Sequence, residues 1–248
     1  NLKPGVTTDE GEGDEWPSVH EKIMAANIVV FATPTWLGQM SSVCLRALER
    51  MDAMFGEFDK AGRPVAFGKV AGVVVTGNED GAHNIVATVC QGLIDMGFTI
   101  PGQSWTYWHL GPGPGPDYVE TQQGHAWSDR VGRNAARNLL ASQVDFERLR
   151  QHSPFKLFVG ATQASSGKLR IFREHELTVD MMLASACLPK IHHPVQIDGE
   201  VYWDGGFTAN PPVAPLFYDC ESRDLLLVLL NPLLRHGVPH TLSEIEAR

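Results

Sequence analysis

Short apolar runs alternate with helically spaced apolar positions along this chain, and their order predicts strand–loop–helix units. Ile28–Ala32 and Val70–Thr76 are continuous apolar stretches of the kind that form strands buried on both faces. The first breaks at Thr33-Pro34-Thr35, where the proline disfavours helix just before it, and Trp36 and Gly38 follow in a polar loop. Ser41-Ser42 then offers an N-cap to a helix with apolar positions Val43, Leu45, Leu48 and Met51 to Met54, and with Arg46, Glu49, Arg50 and Asp52 between them. A strand, a polar loop carrying an aromatic, and a helix behind it form a ligand-binding edge at the carboxyl end of a parallel sheet. After the second run, Gly77–His83 reads as a loop and Asn84–Met96 as a helix. Upstream, an acidic run from Asp9 to Trp16 leads to Pro17, which opens a helix to Ala26 with Val19, Ile23 and Met24 inward.

Beyond Trp127 the pattern changes. Val131, Ala135, Leu139 and Leu140 mark a helix ending near Ala141, and Val144–Leu149 follows. Phe155–Ala161 and Lys168–Phe172 predict two strands about the turn Ser165-Ser166-Gly167. Leu177–Leu188 reads as a helix stopped by Pro189. Val195–Ile197 and Glu200–Trp203 flank Asp198-Gly199, a strong two-residue hairpin signal, and Asp224–Leu230 predicts one more strand.

The composition narrows the classes of function. The 248 residues, 43% hydrophobic, suffice for one large or two small α/β cores. A net charge of −9 argues against nucleic acid and anionic membrane, which need a basic face. No apolar run approaches the ~20 residues of a transmembrane segment, and no signal peptide is visible. Cys44, Cys90, Cys187 and Cys220 show no Cys-x-x-Cys spacing; free thiols and a cytoplasmic location are expected. Gly111–Pro116 alternates glycine and proline and is a stiff loop, distinct from a Gly-x-Gly-x-x-Gly turn. The adjacent pair His192-His193 lacks a third ligand at useful spacing, so no metal is expected.

The loop Thr33-Pro34-Thr35-Trp36-Leu37-Gly38-Gln39-Met40-Ser41 resembles the second flavin loop of flavodoxin-like, FMN-dependent NAD(P)H oxidoreductases. Thr76 with Gly77-Asn78-Glu79-Asp80-Gly81-Ala82-His83 resembles that family's third flavin loop, and Phe98–Pro101 with Ser104–Trp108 resembles its last strand and following loop. The resemblance spans about residues 1–140. It implies FMN as cofactor, NAD(P)H as reductant, and ring contacts from Thr33, Pro34, Thr35, Trp36, Leu37, Gly38, Gln39, Thr76, Gly77, Asn78, Asp80, Gly81 and His83. The family's first strand and hydroxyl-rich phosphate turn are not found before Asn1-Leu-Lys-Pro-Gly-Val-Thr-Thr, so FMN binding is expected to be weak or absent.

A second resemblance runs over about residues 144–240. Ala184–Pro189, Asp198-Gly199, Tyr202-Trp-Asp204-Gly205-Gly206 and Asn210-Pro-Pro212 resemble the carboxyl half of patatin-like phospholipases. There the Asp-Gly-Gly aspartate, here Asp204, serves a serine in a Ser–Asp dyad that attacks an ester carbonyl. None of the serines lies in Gly-x-Ser-x-Gly, and no Gly-rich oxyanion loop is found.

Taken together, the resemblances imply three-layer α/β architecture with parallel-rich sheets, a flavodoxin-like segment (1–143) being joined to a patatin-like one (144–248) near residues 138–144. Three activities follow as expectations: an FMN-dependent NAD(P)H oxidoreductase; a patatin-like acyl hydrolase of a lipid ester through Asp204; or a non-catalytic chimeric scaffold. Incomplete sheets leave an open edge, so a homo-oligomer is a further expectation.

Overall fold

The computed structural model describes residues 12–113, 115–189 and 192–228, and the chain divides into two units, 1–152 and 153–248. In the first unit α1 (Trp16–Ala25) carries a proline in its first turn, where no N–H is missed. At its other end, Lys69 Nζ donates to the carbonyls of Met24 and Ala26 at 2.6 and 2.8 Å, placing a cation on the negative end of the helix. Then come β1 (Ile28–Trp36), the two-residue β2 (Gln39–Met40) and α2 (Ser42–Met51). After them come β3 (Val70–Thr76), α3 (Ala82–Asp95), β4 (Trp105–Trp108), α4 (His125–Gln143) and α5 (Phe146–His152).

The strand order is β2-β1-β3-β4. β1, β3 and β4 are mutually parallel, and β2 folds back antiparallel on the end of β1. Alternation along β3 and β4 assigns the layers. Ala71, Val73 and Val75 join Ile85, Val86, Val89 and Leu93 of α3 in one core, and Trp105 and Tyr107 pack against the same cluster. On the other face, Gly72 sits against the Leu139 side chain of α4 and Thr106 Oγ1 donates to Ser128 O at 2.9 Å. A helix on each face of a parallel sheet is the expected three-layer arrangement.

Three local expectations need correction. Thr33–Trp36 continues β1 and pairs with β3 as far as Pro34–Thr76. Pro34 has no N–H to give, and at that position β1 has, among the described residues, a ladder partner on one edge only, so the ring is tolerated. The last strand is Trp105–Trp108, whereas Phe98–Pro101 contributes only the isolated bridge Val70–Thr99. The intervening Gln103 is left-handed, with φ 52°, and the chain resumes pairing once the aromatic and β-branched residues begin. In α2 the buried stripe is Cys44, Ala47, Leu48 and Met51, and Val43 and Leu45 face outward. Positions 44, 47, 48 and 51 satisfy the i, i+3, i+4, i+7 rule, which Val43 and Leu45 do not.

The second unit contains β5 (Phe158–Gln163), β6 (Leu169–Arg173), α6 (Val179–Ser185), β7 (Val195–Ile197), β8 (Glu200–Asp204) and α7 (Ala214–Asp219). Its sheet, in the order β6-β5-β8-β7, is antiparallel at every described ladder. Asp198 and Gly199 have φ of 52° and 84°, the double left-handed turn that the Asp-Gly hairpin demands. Phe172, Leu177, Met181, Ala184 and Tyr202 form the buried side, Phe172 meeting Tyr202 edge-on at 5.7 Å. Residues 224–228 form no strand; β5 already has β6 and β8 on its two edges. The remainder of that expected strand, and the amino-terminal residues Asn1 to Thr8, lie outside the described residues.

Candidate functional site

At the carboxyl end of the first unit's sheet, neighbouring parallel strands deliver two loops side by side. The β1–β2 connection turns through Leu37 and Gly38, both left-handed with φ of 52° and 72°. Leucine is disfavoured there because its Cβ crowds the backbone. The side chains at this tip are outside: Trp36 is 60% exposed and Leu37 91%. Behind the tip, Thr33 and Thr35 are buried. Thr33 Oγ1 accepts from Ser41 N–H at 3.1 Å, and Ser41 Oγ accepts from Cys44 N–H at 3.2 Å, capping α2. Burial pushes the Cys44 thiol pKa up, against a smaller opposing hydrogen bond from Thr33, so Cys44 is a packed thiol and a poor nucleophile.

The second loop, Gly77–Gly81, is pressed directly onto the first. Thr35 Oγ1 donates to Asp80 O at 2.9 Å. A Cβ at Gly77 would overlap the Thr35 side chain, and one at Gly81 would overlap Gly38 Cα. Asn84 Nδ2 donates to Gly38 O at 3.0 Å, and Leu37 N–H donates to the Glu79 carboxylate. The loops therefore leave no slot between them. They make one continuous ledge, with Trp36 and Leu37 at its rim.

A third segment supports the ledge from behind. Gly115 N–H donates to Asn78 O at 3.0 Å, and Gly113 lies so close that a Cβ there would sit 2.7 Å from Glu79 Cβ. Gly77 N–H donates to Trp108 O at 3.2 Å, tying the second loop to β4.

Of the expected ring contacts, Thr33 to Gln39 with Thr76, Gly77, Asn78, Asp80 and Gly81 are thus gathered in one place. His83 is turned elsewhere: its ring meets Tyr107 edge-on at 4.9 Å and Trp105 at 5.8 Å. Tyr107 in turn stacks on His109 at 5.4 Å. Asn84, Gly113 and Gly115 escape a reading of the sequence, and Glu79 is read as part of the third loop without a role, because their contacts span loops far apart in the chain. Only the glycines of the Gly-Pro run gave a signal. Exposed apolar side chains over glycine-rich backbone fit a planar aromatic ring such as that of FMN. Trp36, Leu37, Gly38, Gln39, Asn78, Asp80 and Gly81 are the residues that would hold it, with Thr33 and Thr35 buried beneath them.

In the second unit, Asp204 ends β8. Its Oδ1 accepts from Gly206 N–H at 2.7 Å, and its backbone carbonyl accepts from Thr162 Oγ1 at 2.9 Å. Thr162 and Thr208 share a hydrogen bond of 2.7 Å beside it. Ser165 donates to Glu200 and Ser166 to Gln163, so neither hydroxyl is directed to Asp204. A Cβ at Gly205 would collide with Gly160 O, which explains the glycine after the aspartate. Among the described residues no cluster of histidine, cysteine and carboxylates suits a metal ion.

Comparison with known proteins matches both halves. Residues 2–111 match the NADPH-dependent FMN reductase family, and residues 116–217 match the patatin-like phospholipase family. The second match reaches back through α4. The chain is 37% identical over 147 residues to 8-demethyl-8-aminoriboflavin-5'-phosphate synthase of Streptomyces davaonensis, covering 57% of this chain and 54% of that protein. It is 35% identical over 131 residues to a divalent metal cation transporter, MntH, of Mycobacterium bovis, covering 53% of this chain but 19% of the transporter. No helix among the described residues is long and apolar enough to cross a membrane. A crystal structure of RosB with bound 8-demethyl-8-formylriboflavin-5'-phosphate superposes with a TM-score of 0.50 at 31% identity, over 60% of each chain. The chain thus spans about half the length of the flavin-related curated relative and less of the transporter. Its first unit is flavodoxin-like in fold.

Proposed function

We propose that the first unit binds the isoalloxazine ring of FMN on the ledge formed by Thr33–Gln39 and Thr76–Gly81, and serves an NAD(P)H-dependent oxidoreduction. The observation that carries this reading is the locking of the two motif loops into one surface, with Trp36 and Leu37 exposed at its rim. FMN, when bound, supplies hydride chemistry. The chain's part is to hold and orient: Trp36 and Leu37 cover apolar ring surface, and the glycines let the backbone approach it closely. The match of residues 2–111 to FMN reductases and the flavin in the RosB structure support the same reading.

The decisive experiment is a fluorescence titration of FMN, with riboflavin as competitor. Because the ledge addresses the ring, FMN fluorescence should be quenched and riboflavin, which shares the ring, should compete. No quenching at millimolar FMN overturns the assignment. For the second unit we infer a fold-bearing role without hydrolysis, since no serine stands in Gly-x-Ser-x-Gly and Ser165 and Ser166 donate to Glu200 and Gln163 rather than to Asp204.

A further inference from the structure

We propose that Glu79 is the positioning residue of the ledge: its carboxylate latches the Trp36-Leu37-Gly38 tip in the form that presents Trp36 and Leu37 to a flavin ring. This rests on the flavin reading above and adds a residue outside the ring-contact set.

The tip needs a latch. Leu37 is left-handed, with φ 52°, where asparagine or glycine is the usual occupant of such a hairpin turn. Its side chain is exposed, so no packing of that side chain offsets the strain. What holds the conformation acts on the backbone. Leu37 N–H donates to the Glu79 carboxylate, and Gly38 O accepts from Asn84 Nδ2 at 3.0 Å. A hydrogen bond to a charged acceptor is stronger than one between neutral groups.

Glu79 is itself held in place. Gly115 N–H donates to Asn78 O at 3.0 Å, and Gly113, left-handed with φ 69°, fits against Glu79 with no room for a Cβ. The Gly-Pro segment therefore backs Glu79, and Glu79 holds the tip. These three segments follow β4, β3 and β1, neighbours in one sheet, so the order of the strands builds the chain of support. With Glu79 truncated, the Leu37 N–H loses its partner and the tip is free to leave the left-handed form. An amide at the same position keeps an oxygen acceptor.

The test compares wild type, Glu79→Ala and Glu79→Gln in two measurements, hydrogen exchange at the Leu37 amide and FMN affinity by fluorescence quenching. In Glu79→Ala the Leu37 amide should exchange about tenfold faster or more, and FMN should bind about tenfold more weakly. Glu79→Gln should restore most of both, with amides of Val70–Thr76 unchanged in all three as the check on fold. Unchanged Leu37 exchange in Glu79→Ala overturns the latch. Faster exchange with unchanged FMN affinity overturns its role in presenting the ring. A wild-type chain that leaves FMN fluorescence unchanged overturns the flavin reading and the presenting role with it, whereas the exchange comparison still decides the latch.

Discussion

Arg50 illustrates how single side chains fasten the first unit. It is buried, pairs with Asp14 at 2.9 Å and lies 5.5 Å from the centre of the Trp16 ring. Removing one partner of a buried ion pair strands the other charge, so Asp14→Ala should lower stability by about 3 kcal/mol in denaturant unfolding. Asp204 gives the opposite expectation. Its Oδ1 accepts from Gly206 N–H, a bond that an asparagine oxygen reproduces. Asp204→Asn should cost under about 1 kcal/mol, and neither form should hydrolyse a p-nitrophenyl ester above background. Ester turnover that vanishes in the variant would reverse that assignment. The Asp198-Gly199 hairpin was legible in the sequence because aspartate before glycine suits a left-handed two-residue turn. Glu79 was not, because its partner Leu37 is 42 positions away.

At the level of elements, the continuous apolar runs of the first unit were readable as strands, whereas Asp224–Leu230 was not one over its described residues, and boundaries set by tertiary pairing were not readable. Val70–Thr76 is β3 residue for residue, because a short run with no charged side chain and four β-branched residues at its end suits a fully covered strand. Thr33–Trp36 carries hydroxyls and a proline and reads as loop, yet β3 beside it supplies a ladder through Pro34. In α2 apolar residues at 43, 44, 45, 47, 48 and 51 left the buried stripe ambiguous, and the structure selects Cys44, Ala47, Leu48 and Met51. Two substitutions test that selection by thermal or denaturant unfolding. Met51→Ala, at a fully buried site, should cost about 2–5 kcal/mol, whereas Val43→Lys on the outer face should stay within about 0.5 kcal/mol. Equal losses would show that both faces are covered.

For the whole molecule, two family signatures were visible in order along the chain. The antiparallel sheet of the second unit was less so, since short alternating strands fit several neighbours until a fold pairs them. The first sheet carries a further consequence. Along Ile28–Pro34, β1 is paired with β3 alone among the described residues, and Val30 on its outer face is 48% exposed. An unguarded apolar strand attracts its own kind, while a net charge of −9 keeps copies apart. Colloidal behaviour is thus a contest between a short-range adhesive line and a long-range repulsion, and added electrolyte weakens only the repulsion. Light scattering should therefore show self-association that rises from low to high salt, and Val30→Lys should suppress it by setting a charge on the adhesive line itself.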